Sequence, residues 1–500
     1  MPLNKAGSRE LAQAQALEPR LSPRDGRAST STGMFMTQTP SMLAGRGQPR
    51  YVKGSTMDKP PNNDEPGVLG ILMHPINLLL LCLPVGLVAF FCDWNSNSIF
   101  WWNFAAMIPL AKILGDATEE LAASLQNDTI AGILNATFGN AVEMIITIQT
   151  LRKGLFEVVK ATLLGSVLSN TLLVLGMSFL CGGFITYKEK TVTSPDGSQA
   201  RYEKAEQDSR PDNRVLSSLE DRLRKSASYA ASAASVAPYN AETEKVQAFN
   251  ILGALVNTSM LLSSCTSFCL ITAFYSVLQQ SELEPQEQSD LLLRVSRCSA
   301  IIIALSYVAF IIFQLVTHRR TMSEDQPEES EGGDDGSSSV SLYKAVALLF
   351  VATLLTAICS EFLVRAIAGV TEKAHLNQHF IGMIILPIVG NACEHAAAVR
   401  FAMHDKLGLS VSISIGSSTQ IALFVVPFAV LLAWAMDKPL DLNFGFFNTS
   451  MITLSVIVVL SMIVDGHSNW LQGYLLCSIY AIIGILYFYL PDSVSTDPGS

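Results

Sequence analysis

The sequence predicts an all-α polytopic membrane protein of about eleven transmembrane helices, laid out as one leading helix and two sets of five (1 + 5 + 5) with inverted-topology repeats. Three observations carry that prediction. The 500 residues are 49% hydrophobic and only 15% charged, with a mean hydropathy of +0.35, too apolar for a water-soluble chain of this length. Apolar runs close to the ~20 residues a spanning helix needs recur from Ile71 to Leu490. The same polar string is also written twice into apolar text, as Gly139-Asn140-Ala141-Val142-Glu143 and Gly390-Asn391-Ala392-Cys393-Glu394. The likeness continues downstream: Gly165 follows Glu143 by 22 residues and opens Gly165-Ser166, and Gly416 follows Glu394 by the same 22 and opens Gly416-Ser417. Duplication of one ancestral unit is the simplest account.

Taken in order, residues 1–66 are basic and rich in Ser, Thr, Pro and Gly, with Arg9, Arg20, Arg24, Arg27, Arg46, Arg50 and Lys53 and no sustained periodicity. They read as a disordered cytosolic tail. A transit peptide shares the basic, Ser-rich bias but not the acids Glu10, Glu18 and Asp25. A leading helix occupies 67–95, with its span near 69–92. The first repeat, 96–318, holds spans near 97–115, 129–151, 156–184, 246–278 and 295–317, with a polar loop at 188–245. An acidic linker at 319–341, carrying Glu324, Asp325, Glu328, Glu329, Glu331, Asp334 and Asp335, joins it to the second repeat. That repeat, 342–491, has spans near 342–370, 379–404, 408–435, 447–465 and 470–490, and a short tail, 492–500, closes the chain.

The net charge of −10 is concentrated in loops and gives no sign of nucleic-acid binding. The nine cysteines form no CxxC pair and mostly sit in apolar runs, where they read as small buried hydrophobes. The basic tail argues for a cytosolic amino terminus. Counting crossings then puts loop 188–245, Arg319-Arg320 with the linker, and Arg400 with Lys406 on the cytosolic side, while Arg152 and Lys153 break the rule. The third and eighth spans are five crossings apart, with four helices between them, so the two Gly-Asn-Ala-x-Glu strings run through the bilayer in opposite directions. In that architecture a binding site sits near the midplane, between the repeats.

A carboxylate at mid-membrane costs roughly 2.5–3.5 kcal/mol on insertion scales, so two in matching contexts call for a function. On a helix, Asn140 and Glu143 share a face, as do Asn391 and Glu394. Ser166 and Ser169 share a face of the next span, and the positions 251 residues on are Ser417 and Gln420. Asn, Ser and Gln alone would serve as interhelical glue; the paired acids point instead to a charged cargo. The set is rich in oxygen and lacks thiolates or an ordered imidazole pair, which suits a hard cation, Ca²⁺ above Zn²⁺ or Cu⁺. Glu119 and Glu120, near a helix end, and Glu361, spaced to pair with Arg365, are candidate entrance acids, and His395 is a further accessory candidate. Glu328, Glu329, Glu331, Asp334 and Asp335 are candidate regulatory acids or a solvated tether. A membrane-embedded metalloprotease fails on its ligands, because Asn391 stands where an H-x-x-E-H site needs histidine and no H-E-x-x-H occurs. A cation channel is disfavoured by the inverted pairing, which suits alternating access.

These residues resemble the cation/proton exchangers (CAX, calcium/proton antiporters) of the calcium/cation antiporter superfamily. The resemblance covers roughly residues 70–490 and rests on Leu134-Asn135-Ala136-Thr137-Phe138-Gly139-Asn140-Ala141, Leu164-Gly165-Ser166-Val167-Leu168-Ser169-Asn170, Leu386-Pro387-Ile388-Val389-Gly390-Asn391-Ala392 with Glu394-His395, Gly416-Ser417-Ser418-Thr419-Gln420 and Val425-Val426-Pro427. Val142 and Cys393 depart from the family's usual residues between Ala and Glu, loop 188–245 looks like an insertion, and Arg365 is an unexpected charge. The resemblance implies exchange of cytosolic Ca²⁺ for lumenal H⁺, with Glu143 and Glu394 as ion- and proton-binding groups, Asn140 and Asn391 as further ligands, and Ser166, Ser169, Ser417 and Gln420 as a supporting polar shell. Mn²⁺ or Na⁺ as alternative cations, and a sodium-coupled calcium exchanger, stay open. No cofactor is expected beyond the transported ions. The partners expected are the lipid bilayer and a possible second copy of the chain, and the expected location is a vacuolar or other acidic-organelle membrane.

Overall fold

The computed structural model describes residues 71–125, 134, 137–184, 246–318, 342–374 and 376–491. The expected tail 1–66, loop 188–245, acidic linker 319–341, closing tail 492–500 and the start of the expected 129–151 span lie outside the described residues. What is described is almost wholly helical. In chain order the helices are α1 (Cys82–Phe91, entered through a 3₁₀ turn, Pro75–Leu81), α2 (Ser96–Ser124), α3 (Ala141–Arg152), α4 (Phe156–Phe184), α5 (Ile251–Leu278) and α6 (Pro285–Thr317). The second half continues with α7 (Leu342–Ala374), α8 (Gln378–Gly390), α9 (Ala392–Met403), α10 (Leu407–Ala435), α11 (Phe446–Ile463) and α12 (Trp470–Tyr489).

Among the described residues eight helices are long and apolar enough to cross a membrane, or nine if the bent pair α8–α9 is one span. The expected eleven differ at two places. The leading segment is a shorter apolar helix, Pro75–Phe91, and α3 is the 12-residue continuation of a span whose beginning is not described. Other boundaries moved as well, and α2 runs on to Ser124, past the expected 115. The sixth helix begins at Pro285, ten residues before the expected 295, because Glu284 and Pro285 form a helix start with proline at its first position. The fifth begins at Ile251 rather than 246, because residues Val246–Ala248 form a strand, β1, antiparallel to β2 (His467–Asn469). Asparagine caps set several starts: Asn95 accepts from Ser98 N, Asn250 from Leu252 N, and Asn469 forms a reciprocal capping box with Gln472.

The packing pairs obey the duplication. The α4–α12 contact has its counterpart in α6–α10, α3–α4 in α9–α10, α3–α7 in α2–α9, and α4–α11 in α5–α10, while α2–α7 and α5–α11 are their own counterparts. Two apolar cores result. One is built around α2 and α7 with Ala141, Val142 and Ile146 of α3 and Leu386 and Val389 of α8. The other joins α4, α5, α6, α10, α11 and α12. The repeated motifs lie along the seam between these cores.

Candidate ion-exchange site

Both Gly-Asn strings interrupt their helices. Asn140 (φ −105°, ψ 25°) precedes α3, and Asn391 (φ −90°, ψ 13°) separates α8 from α9, where the axis bends by 60°. Asn140 and Glu143, and likewise Asn391 and Glu394, stand three residues apart, the spacing that puts them on one face of a helix. The structure instead makes each asparagine the cap residue at a break and puts each glutamate in the first turn beyond it. That turn presents the positive end of the helix dipole to the carboxylate. Freed from helical neighbours, the asparagine side chains reach across the seam.

One hydrogen-bonded path connects the halves. Asn140 Nδ2 donates to Gln420 Oε1 at 2.7 Å, and Ser417 Oγ donates to Asn140 Oδ1 at 3.5 Å. Asn170 Nδ2 donates to Ser417 Oγ at 2.9 Å and to Asn391 Oδ1 at 3.4 Å, and Asn391 Nδ2 donates to the Ser166 carbonyl at 3.2 Å. The path brings together Asn140, Asn391, Ser417 and Gln420 of the expected set and the backbone of Ser166. Asn170 is the residue that sequence reasoning missed, although it lies in the quoted Ser169-Asn170 string four residues after Ser166.

Glu143 is 2% exposed, and neither of its carboxylate oxygens has a partner; Oε2 of half-buried Glu394, the hydroxyls of Ser166 and Ser169, and Oδ1 of Asn170 are likewise buried and unpartnered. Buried acceptors left this way are costly unless a cation or proton satisfies them. The Glu143 charge acts on Glu394, and a Cβ at Gly390 would come within 2.5 Å of Glu143 Oε1. Glycine at 390 is therefore what lets the first-half carboxylate lie against the second-half helix break. Among the described residues no group of three His, Cys, Asp or Glu side chains could hold a metal, so the donors on offer are two carboxylates, carboxamides and hydroxyls.

The accessory candidates divide. Glu119 lies within electrostatic range of Glu394, Asp116, Arg400, Lys112 and Glu120; Lys112 and Asp116 are ion-paired. Glu120 shares the last turns of α2. Glu361 is held by Arg365 Nε at 2.6 Å and Lys153 Nζ at 3.6 Å, away from the polar path. His395, beside Glu394, has a buried Nε2 without a partner and takes no part in the path. Cys393 packs its sulfur into the notch at Gly115, where a Cβ would lie 2.7 Å away. Glu328, Glu329, Glu331, Asp334 and Asp335 lie outside the described residues.

Two duplicated helical units, packed so that broken helices bring acidic side chains to their seam, define the class of inverted-repeat membrane transport proteins. The comparisons agree with that class. Residues 96–199 and 344–489 match the sodium/calcium exchanger protein family, and the chain belongs to it. It is 34% identical over 85% of its length to vacuolar cation/proton exchanger 3 of Oryza sativa subsp. japonica, covering 88% of that protein. It is 32% identical over 83% of its length to the vacuolar calcium ion transporter of Schizosaccharomyces pombe, covering 85% of that protein. The crystal structure of the selenium-substituted Ca²⁺/H⁺ antiporter protein YfkE superposes with a TM-score of 0.59 at 29% identity, covering 83% of this chain and 98% of that one.

Proposed function

We propose that the protein is a secondary active antiporter that exchanges cytosolic Ca²⁺ for lumenal H⁺ by alternating access at one site built from Glu143 and Glu394. The observation that carries this reading is the pair of acids, Glu143 buried and Glu394 half-buried, each in the first turn after a helix break whose asparagine belongs to a shared amide and hydroxyl path. Relatives named as vacuolar cation/proton and calcium transporters support the choice of ions and a vacuolar or other acidic-organelle membrane. Ionised, the pair neutralises one divalent ion, and Asn140, Asn391 and backbone carbonyls supply further oxygens toward the ~6–8 that Ca²⁺ takes. Protonated, the pair is neutral and crosses without the ion. Because one set of oxygens serves both states, ion and protons exclude each other.

Ser166, Ser169, Ser417 and Gln420, with Asn170, orient this set. The cytosolic side is assigned to the amino terminus and to the ends of α4 and α9, where loop 188–245 and Arg400 lie. The separate core of α2 and α7 supports movement of that pair against the remaining bundle as the step that changes access. A sodium-coupled exchange of calcium is the second reading, favoured by the family to which the chain belongs. Reconstituted protein given Ca²⁺, Mn²⁺ and Na⁺ in competition separates them. A pH gradient without Na⁺ should drive Ca²⁺ uptake with counterflow of protons. Uptake that follows a Na⁺ gradient and ignores pH would establish the second reading, and current without coupled proton flux would establish a channel.

A further inference from the structure

The two short helices that carry the paired acids are fastened at their far ends by contacts of different chemistry. α3 ends at Arg152, and its cap residue Lys153 reaches Glu361 of α7 at 3.6 Å, with the two side chains 37% and 17% exposed. α9 ends at Met403, and there Gln247 donates to the Ala402 carbonyl at 3.0 Å and to Asp405 Oδ1 at 3.2 Å. Gln247 is 2% exposed, its strand pairs with β2, and Gly182 leaves room for it, since a Cβ there would lie 2.2 Å from its Oε1. The pseudo-symmetry that maps α3 onto α9 does not map these fastenings. Lys153 corresponds to His404, whose ring pairs with the Arg400 carbonyl of its own helix.

Their chemistry sets which one yields. A partly exposed ion pair contributes little and is readily re-formed. A buried amide bonded to a backbone carbonyl leaves unpaired polar groups in a dry place when broken. In the conformation described, the α3 end is fastened and Glu143 is covered by Gly390, while Glu394 is only half-buried. We infer that Glu361 is a positioning residue: through Lys153 it holds α3 so that Glu143 stays covered, and release of this pair, with the Gln247 clasp intact, opens the α3 end of the site. The inference rests on the assignment of Glu143 and Glu394 to ion exchange.

The test is pH-gradient-driven Ca²⁺ uptake by the full-length protein in proteoliposomes, titrated with Ca²⁺ on the loading side. Loss of the fastening depopulates the conformation that loads from the opposite end, so apparent affinity falls by the fraction lost. Glu361→Gln should raise half-saturating Ca²⁺ about two- to fivefold, the range expected of a partly exposed pair, with the maximal rate retained. Lys153→Gln should do the same and serves if the first variant is not monodisperse in detergent. Lys153→Arg, which keeps the positive charge opposite Glu361, should retain the wild-type value. Arg365, whose Nε holds the same Glu361 oxygen at 2.6 Å, is kept in every variant. Unchanged half-saturation in Glu361→Gln and Lys153→Gln, or an equal shift in Lys153→Arg, overturns the inference. If Glu143→Gln and Glu394→Gln abolish uptake in the same assay while Glu361→Gln behaves as wild type, the site stands and the fastening role falls. Normal uptake in Glu143→Gln removes the site itself.

Discussion

At the scale of single residues the site depends on a few side chains that have no structural reason to be charged. The Glu143 carboxylate has no side-chain partner, so Glu143→Gln keeps the shape and removes the ionisable group. Uptake driven by a pH gradient should fall to background in that variant while the protein still inserts, and retention of near-normal uptake would sink the assignment. Asn170 makes a different prediction, because its amide serves Ser417 and Asn391 together. Asn170→Ala leaves both without that donor, at about 1–3 kcal/mol for a buried group, and half-saturating Ca²⁺ should rise by about tenfold. An unchanged titration would show that the path does not position the ligands. The paired acids were legible in the sequence because a carboxylate contradicts its apolar surroundings. Asn170 was not, because a lone amide in a spanning helix reads equally well as glue between helices, and only its partners across the seam separate the two roles.

At the scale of elements the decisive feature is the broken helix. Gly-Asn is a turn signal inside an apolar run, and Pro387 stands four residues before Asn391. Even so, the apolar text on both sides favours an uninterrupted span, so sequence alone gives a continuous face where the structure gives two helix starts. The π-helical segments Ser169–Val174 of α4, which includes Ser169 and Asn170, and Ile421–Val425 of α10, just past Gln420, occupy corresponding places, and no periodicity announces them. Close packing of α4 against α8 also rests on an element-scale detail. A Cβ on Gly165 would meet the Met383 carbonyl oxygen at 2.3 Å, and backbone cannot swing away as a side chain can. Gly165→Ala should therefore lower stability by about 1–3 kcal/mol, read as a drop in the thermal midpoint in detergent. A midpoint equal to wild type would mean that the two helices part without cost.

At the scale of the whole molecule, the duplication is readable from motif spacing, while the expected eleven spans compare with eight or nine among the described residues. Short apolar pieces such as Pro75–Phe91 and the broken α3 and α8–α9 segments do not meet a simple length rule. The acidic linker belongs to this scale as well. If it senses cytosolic Ca²⁺ or pH, neutralising Glu328, Glu329, Glu331, Asp334 and Asp335 should change the Ca²⁺ dependence of transport, and an unchanged dependence would make it a tether. The central claim is that Glu143 and Glu394 form one site for which ion and protons compete. The measurement that tests it most directly is simultaneous Ca²⁺ uptake and proton efflux in proteoliposomes holding the wild type, Glu143→Gln, Glu394→Gln or the double variant. One shared site predicts that each single variant loses both fluxes as completely as the double variant does. A single variant that keeps a substantial part of either flux would contradict it.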